Sequence, residues 1–293
     1  MSGPLIVAAP AKINLFLHVG RKRADGYHDL ESFVAFAAFG DEISLVRDGG
    51  FSLSLGGPFG AQLSDCKQNL ALKAAKLLAE RTDTKQGVRV HLRKNLPVAS
   101  GLGGGSADAA AVLRGLMHLW QLDPERIDLA ETAELLGADV PVCVASKTSW
   151  MEGKGECVRT LPPLPEAGVL LVNPGVQIST SQVFGSLGPR RGTAMQPPRA
   201  PFPDVYALVR FLRETINDLE PPAQEIAPVI ADVLQEMNEL PDVLFARMSG
   251  SGASCFALFA DEEKARTAAP LLRNRHTEWW VCETVFRQGG SCP

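Results

Sequence analysis

The sequence contains 293 residues, of which 45% are hydrophobic and 21% are charged, and its formal net charge is −4. This length exceeds what one hydrophobic core usually organises, so it predicts two domains, and the near-average composition excludes a disordered chain. The negative net charge excludes the broad basic surface that nucleic-acid binding requires. Six cysteines without a C-x-x-C pair argue against a zinc site or a disulfide framework and favour a cytoplasmic location.

The amino terminus predicts neither export nor membrane insertion. It lacks a basic segment, its apolar run breaks at Pro10, and no stretch reaches the roughly 18 apolar residues of a membrane span. The predicted partner is therefore a small molecule, with no nucleic acid and no membrane, and nothing in the sequence implies a protein partner.

The first half of the sequence predicts mainly strands, interrupted by three helices. Apolar segments bounded by Gly, Asp and Pro predict strands at 5–9, 12–19, 32–39, 42–46, 51–55 and 88–92. Helices are predicted from about residue 69, at 106–121 and at 127–136. In the second of these helices, apolar residues recur at helical spacing and predict one buried face, formed by Ala109, Val112, Leu113, Leu116, Leu119 and Trp120.

A proline-rich joint at 159–168 precedes a change of pattern, so we predict domains 1–162 and 163–293. The second half predicts a strand, two or three helices, strands at 243–249 and 254–259, a helix at 261–273 and a strand at 279–286 that can return toward the first domain. This alternation predicts a split βαβ sandwich with helices on one sheet face. Residues 188–204, rich in Pro, Arg and Gly, predict a surface loop.

A glycine-rich segment precedes the second predicted helix and ends at Ser106. The N–H groups at a helix amino terminus lack intrahelical acceptors, and glycines let such amides approach an anion closely. The segment 97–107 is therefore predicted to bind a triphosphate. It is not a Walker A loop, because Gly105 stands where that motif needs lysine, and Pro97 separates it from the strand of a dinucleotide-binding unit. A connecting turn is the alternative, and Ser106 is equally suited to cap the helix.

Three further features are candidates for the same site. Lys12 and Asn14 share one strand face that can line a pocket, although a solvated strand edge is the alternative. Asp139 lies on a rigid corner between Gly137, a predicted helix C-cap, and Pro141, where aspartates more often form turns than catalyse. A second glycine-rich loop at 248–254 either closes over the same ligand or forms a simple hairpin.

Four segments resemble, in this order, the motifs of the galactokinase, homoserine kinase, mevalonate kinase and phosphomevalonate kinase superfamily: PAKINLFLHVGRKRADGYHDL, PVASGLGGGSADAA, GADVP and SGSGASCF. Three others, RADGYH, NPGVQISTSQVF and NDLEPPA, resemble the 4-diphosphocytidyl-2-C-methyl-D-erythritol kinase family. The resemblance implies an α+β fold of two domains, the first like domain 2 of ribosomal S5 and the second ferredoxin-like, with the active site between them. It also implies transfer of the ATP γ-phosphate, with Mg²⁺, in the non-mevalonate isoprenoid pathway.

The same resemblance implies roles for individual residues. Asp139 would accept or orient the proton of the attacking hydroxyl, and Lys12 would keep Asp139 ionised and offset the charge of transfer. Asn69 and Lys94 would lie near the nucleotide, although a helix N-cap and a solvated strand-end lysine are their respective alternatives. The phosphates would be held by Pro97, Val98, Ala99, Ser100, Gly101, Leu102, Gly103, Gly104, Gly105, Ser106 and Ala107.

On the substrate side, the resemblance implies binding of a cytidyl diphosphate of methylerythritol. Tyr27 and Phe184 would clamp the cytosine ring, His28 would bind the base edge, Asn14 would lie near the erythritol, and Thr180 would add a further contact. From the residues alone, a polar loop at 27–28 and a core phenylalanine are the simpler interpretations.

Two other functions stay open at this stage. Another kinase of the superfamily would act on mevalonate or a sugar, and RADGYH argues against it. A nucleotide-binding regulator without catalysis would lack Lys12 or Asp139, and both are present. The sequence does not identify the metal ligands.

Overall fold

The computed structural model describes residues 3–63, 68–188 and 195–288. Two cysteines, Cys66 and Cys292, and part of the predicted loop at 188–204 lie outside these residues. Within the described ranges, no helix combines the length and the apolar character needed to cross a membrane.

The first sheet has six strands in the order β3-β4-β2-β5-β6, with β1 also paired to β2. Their bounds are β1 Leu5–Lys22, β2 His28–Asp48, β3 Phe51–Gly56, β4 Gly87–Arg93, β5 Ser149–Gly153 and β6 Cys157–Thr160. The strands predicted separately at 5–9 and 12–19 form the single strand β1, because Pro10 pairs with Gly40 at a register shift. A Cβ at position 40 would lie 2.2 Å from the carbonyl oxygen of Ala9, so the two bent strands need glycine there.

The described residues of this first half form four α-helices: α1 (Leu70–Arg81), α2 (Gly104–Leu119), α3 (Leu129–Glu134) and α4 (Val140–Ala145). The predicted buried face of α2 is confirmed, since Val112, Leu113 and Leu116 are fully buried. Helix α4 was not expected after Pro141. Proline at the second position of α4 costs no helical hydrogen bond, so it begins a helix instead of preventing one.

The second sheet has four antiparallel strands in the order β10-β7-β9-β8. They are β7 (Gly168–Asn173), β8 (Phe245–Met248), β9 (Cys255–Phe259) and β10 (Trp280–Val285). Five helices accompany them: α5 (Thr180–Gly185), α6 (Val205–Arg213), α7 (Glu220–Ile226), α8 (Val229–Asn238) and α9 (Glu262–Arg275). Four of the helices separate β7 from β8, where two or three were predicted. The strand order is that of a ferredoxin-like sheet, and the whole is the predicted α+β fold.

Strand β1 contacts both halves of the molecule. Its residue Leu17 packs in the core of the second half and forms a parallel bridge with Asn217. At the other end of the chain, Phe286 bridges Ala37 on β2. These contacts join the two halves and do not test where one domain ends, so the boundary near residue 162 stays a prediction.

The described part of the predicted surface loop at 188–204 also contacts residues of other elements. The Phe202 ring lies 5.5 Å from the Phe211 ring and 6.2 Å from the Phe33 ring, measured between centroids. The N–H of Met195 donates a hydrogen bond of 2.9 Å to the Glu31 carboxylate. The side chains of Met195 and Phe202 also pack against the hydrophobic core, which the polar composition of the segment did not predict.

Candidate active site

A cavity of about 580 Å³ lies between the amino termini of α2 and α4, strand β1 and the loop before β9. Most predicted site residues border it: Lys12, Asn14, Asn69, Lys94, Pro97, Val98, Ala99, Ser100, Gly101, Gly103, Gly104, Gly105, Ser106, Asp139, Thr180 and Phe184. Four predicted residues are not among those that line it, namely Tyr27, His28, Leu102 and Ala107.

The glycine-rich loop leads directly into α2. Gly103 is the N-cap of this helix in the left-handed conformation (φ +63°), and no side chain caps the helix. Ser106 lies inside the first turn, so the alternative in which Ser106 is the N-cap is wrong. The first N–H groups of α2 therefore have neither an intrahelical nor a side-chain acceptor and border the cavity. Such a terminus, with its partial positive charge, can bind an anion.

The two glycine-rich loops pack against each other. A Cβ at Gly101 would lie 2.5 Å from the Ser249 carbonyl oxygen and 2.7 Å from that of Gly252. The Ser254 N–H donates a 2.9 Å hydrogen bond to the Ser100 carbonyl oxygen. Gly250 and Gly252 border the cavity, so the loop at 248–254 forms part of its wall.

Lys12 and Asp139 form an ion pair at the cavity wall. The distance from Lys12 Nζ to Asp139 Oδ1 is 3.0 Å. Lys12 is 4% exposed, so a solvated strand edge is wrong for this residue, whereas the Asp139 side chain is 44% exposed toward the opening. Asp139 immediately precedes α4 as its N-cap, and Gly137 is not a C-cap, because α3 ends earlier at Glu134.

Asn14 continues the polar wall next to Lys12. Its Oδ1 accepts a 3.1 Å hydrogen bond from Lys12 Nζ, and its Nδ2 donates one of 2.8 Å to Ser32 Oγ. Ser32 in turn donates to the Phe16 carbonyl oxygen at 2.6 Å. Ser32 also lines the cavity, although no sequence pattern distinguishes it from the other residues of its strand.

Lys94 is buried and held by two carboxylates. Its Nζ lies 2.6 Å from Asp41 Oδ2 and 2.8 Å from Asp108 Oδ2, so a solvated strand-end lysine is wrong here. Burial opposes the charge of Lys94, but the two carboxylates outweigh it and raise its pKa. Burial also raises the pKa of Asp108 to about 7, against the lowering effect of Lys94.

Asn69 has the predicted N-cap role at the start of α1. Its side-chain oxygen accepts a 2.9 Å hydrogen bond from the Ala71 N–H, and it borders the cavity as well. This capping hydrogen bond fixes the Asn69 side chain and leaves its amide group at the site.

On the opposite side of the cavity, Thr180 begins α5, and its Oγ1 lies 2.9 Å from Ser251 Oγ. The ring that stacks on Phe184 is that of His28, with centroids 5.6 Å apart and an interplanar angle of 30°. Burial lowers the pKa of His28, and Lys22 lowers it further. The Tyr27 ring is 56% exposed, and the Lys154 ammonium lies 5.6 Å from its centroid.

Several lining residues were not identified from the sequence. Asp108 could have been, because it is a charged residue one turn inside a helix that begins with the glycine loop. The others are apolar or small and carry no signal that separates them from the core: Leu17, Leu30, Leu63, Leu70, Met151, Ile178 and Leu219.

Comparisons with known proteins agree on one family. The GHMP kinases N terminal domain matches residues 69–147, and the GHMP kinases C terminal domain matches residues 202–275. A 4-diphosphocytidyl-2-C-methyl-D-erythritol kinase from Parvibaculum lavamentivorans is 47% identical over 283 residues, which cover 96% of this chain and 98% of the relative. The kinase of the same name from Paracoccus denitrificans is 48% identical over 274 residues, covering 94% of each chain.

Solved structures give the same result. A crystal structure of 4-(cytidine 5'-diphospho)-2C-methyl-D-erythritol kinase superposes with a TM-score of 0.77 and 33% identity, over 97% of this chain and 100% of that one. A homoserine kinase from Cytophaga hutchinsonii, at 20% identity and a TM-score of 0.70, covers 100% of this chain and 98% of that one and shares the fold. The chain therefore belongs to the 4-diphosphocytidyl-2-C-methyl-D-erythritol kinase family of GHMP kinases.

Proposed function

We propose that the protein transfers the γ-phosphate of ATP to the 2-hydroxyl of 4-diphosphocytidyl-2-C-methyl-D-erythritol, a step of the non-mevalonate isoprenoid pathway. The names of the relatives and of the solved structure support this substrate. The observation that carries the proposal is the Lys12–Asp139 pair, which borders the same cavity as the uncapped amino terminus of α2. A proton acceptor, a cation and a phosphate-binding terminus are what phosphoryl transfer to an alcohol requires.

The nucleotide phosphates bind to the first turn of α2. Its free N–H groups and those of the glycine loop donate hydrogen bonds to phosphate oxygens, and Ser106 adds its hydroxyl. Asn69 borders the cavity at the start of α1 and is assigned to the nucleoside. Lys94, which lies beneath the glycine loop, is assigned a contact with the nucleotide.

Transfer uses the Lys12–Asp139 pair. The substrate hydroxyl oxygen forms a bond to the γ-phosphorus as the bond to the bridging oxygen breaks, ADP leaves, and the hydroxyl proton moves to Asp139. The ammonium of Lys12, 3.0 Å from Asp139 Oδ1, offsets negative charge that gathers on the transferring phosphate.

Mg²⁺ fits the residues present. The Asp139 carboxylate and the Ser106 hydroxyl border one cavity, and Mg²⁺ prefers oxygen ligands, taking few from the protein and the rest from phosphates and water. When bound, the ion would shield the charge of the phosphates.

The acceptor substrate binds on the side of α5. The Phe184 ring offers a face for the cytosine, with Tyr27 as the second face and His28 at the base edge. Thr180 and Asn14 border the cavity between this end and the catalytic pair, where they would contact the phosphorylated methylerythritol.

A substrate panel tests the proposal. Purified protein with ATP and Mg²⁺ is expected to form ADP with 4-diphosphocytidyl-2-C-methyl-D-erythritol and not with mevalonate or galactose. ADP formed with mevalonate or galactose would identify a different kinase of the superfamily. Nucleotide binding without ADP from any acceptor would support a non-catalytic regulator.

A further inference from the structure

Three charged side chains meet beneath the amino terminus of α2, and the proposed chemistry uses one of them. The side chains of Lys94, Asp41 and Asp108 are each at most 3% exposed. Asp41 comes from β2, Asp108 from α2, and Lys94 directly follows β4. The ammonium thus joins three elements at the base of the glycine loop.

The carboxylates of Asp41 and Asp108 differ in their hydrogen-bond partners. Asp41 Oδ1 accepts hydrogen bonds from the N–H groups of Asn95 and Leu96, at 2.6 and 2.9 Å, so Asp41 fixes the chain that enters the glycine loop. Asp108 Oδ1 is buried and has no hydrogen-bond partner among the described residues. The backbone depends on Asp41, whereas the Asp108 side chain interacts with the side chains of Lys94 and Asp41 and holds no backbone N–H group among the described residues.

The ammonium lies directly against the phosphate-binding turn. A Cβ at Gly104 would be 2.8 Å from Lys94 Nζ, so glycine at this position admits the ammonium. Lys94, Asp108, Gly104 and Ser106 border the same cavity. Two N–H groups of Lys94 bind the carboxylates, which leaves the third for a ligand.

The net charge of Lys94, Asp41 and Asp108 together opposes the binding of a polyphosphate. Asp41 alone balances the ammonium, and an ionised Asp108 adds one further negative charge. Because water is excluded from the group, this charge is poorly screened and acts on anions in the neighbouring cavity. A carboxylate that the backbone does not need, beside an anion site, weakens the binding of that anion.

We propose that Asp108 is a positioning residue that acts through Lys94: it holds the ammonium against Gly104, offsets its charge and so limits the affinity of the site for the nucleotide polyphosphate. The inference rests on the proposed function, because it assumes that the phosphates bind at α2. A weaker hold on the polyphosphate speeds the release of ADP, a step that limits turnover in many enzymes.

The variant Asp108→Asn tests this inference. The amide keeps the size of the side chain and still offers an oxygen to Lys94, but it removes the negative charge. At about pH 8.5, where a carboxyl is ionised, the Kd values of ATP and ADP are expected to fall at least about threefold, measured by calorimetry at constant Mg²⁺. The Kd of adenosine, which lacks phosphates, is expected to stay unchanged. Asp108→Ser removes the same charge with a smaller side chain and is expected to act in the same direction.

Asp261→Asn is the matched control. It changes the net charge equally at the N-cap of α9, where asparagine caps as well as aspartate, and it is expected to leave all three affinities unchanged. Unchanged or weaker polyphosphate binding in both Asp108 variants would overturn the inference, as would a parallel loss of adenosine binding, which would indicate a purely structural role. If the unaltered protein binds neither ATP nor ADP, the proposed function itself fails and the inference fails with it.

Discussion

At the scale of single residues, the proposed catalytic pair consists of two side chains that differ in exposure. Lys12 is buried, and its ammonium is held by Asn14 at 3.1 Å as well as by Asp139. Asp139 is 44% exposed and makes no capping hydrogen bond with its side chain. The lysine is therefore fixed by the fold, whereas the aspartate can reach a substrate hydroxyl.

Replacing Asp139 by asparagine is expected to lower kcat by roughly 10²- to 10⁴-fold, because the amide keeps the shape of the side chain but cannot accept a proton. The Kd of ATP is expected to change little, since the proposed phosphate site is the amino terminus of α2. Steady-state kinetics with 4-diphosphocytidyl-2-C-methyl-D-erythritol and calorimetry with ATP measure the two effects.

Asp128→Asn provides the control for this variant. Asp128 is the N-cap of α3, where asparagine is equally favourable, and it should leave both kcat and ATP binding unchanged. A loss of ATP binding by Asp139→Asn as large as the loss of kcat would assign Asp139 to the fold instead of the chemistry.

The glycine loop could be predicted from the sequence because its motif is local. Glycines followed by an amphipathic helix determine the geometry of only a few neighbouring residues. Residue patterns alone could not bring Lys12 to Asp139, since that contact depends on how α2 packs against both β1 and α4. Only the resemblance to known kinases linked the two. Ser32 was missed for the same reason, because its partner Asn14 comes from another strand.

At the scale of elements, the contact between the two glycine-rich loops shapes the cavity. Gly101 has φ +79°, and its Cα faces backbone atoms of Ser249 and Gly252. Neither the left-handed conformation nor the close approach tolerates a side chain. The first loop is thus held in place by the second, and both present backbone to the ligand.

Gly101→Ala is expected to lower the free energy of unfolding by more than about 2 kcal/mol, because the new methyl group must push the loop at 248–254 away. ATP binding should weaken as well, since the same loop forms part of the cavity wall. Urea unfolding and calorimetry measure these two changes.

Gly105→Ala, in the same glycine-rich segment 97–107, is expected to have the opposite effect on stability. Gly105 lies in the first turn of α2 without a positive φ, and a Cβ there has no atom within 4 Å. Alanine should raise the free energy of unfolding by about 0.4–1 kcal/mol, since it restricts the unfolded chain. Equal destabilisation by the two substitutions would contradict the role assigned to the contact at Gly101.

Periodicity predicted the long helices, whose buried faces repeat over several turns, but not α4, β5 or β6. The residues of α4 are all apolar, and neither β5 nor β6 alternates polar and apolar residues, so none of the three shows a period. Helix α4 also begins with a proline, a residue that stops a helix in its interior but suits the first turn. Helix α4 is also the element that directly follows Asp139, the proposed proton acceptor.

At the scale of the whole molecule, the cavity needs both halves of the chain, and a buried arginine joins them. Arg247 on β8 is 9% exposed and donates hydrogen bonds to the carbonyl oxygens of Leu15 (2.9 Å) on β1 and Leu212 (3.0 Å) on α6. A further bond of 2.8 Å reaches Thr215 Oγ1. Burial lowers the pKa of Arg247 to about 10, so it stays charged at neutral pH.

Arg247→Met is expected to lower the free energy of unfolding by about 3–5 kcal/mol, because it leaves several buried carbonyl oxygens without donors and Glu220 without its cation. Arg266→Met on the exposed face of α9 is the control and should change stability by less than about 0.5 kcal/mol. The cavity is lined by β1, which carries Lys12, and by the loop at 248–254 that follows β8, so a nucleotide bound there should raise the free energy of unfolding of Arg247→Met and of the unaltered protein alike. ATP with Mg²⁺ at about 100 times its Kd should add about 2.7 kcal/mol to both proteins. Urea unfolding with and without nucleotide measures this, and a loss no larger than that of Arg266→Met would mean that Arg247 does not join the halves.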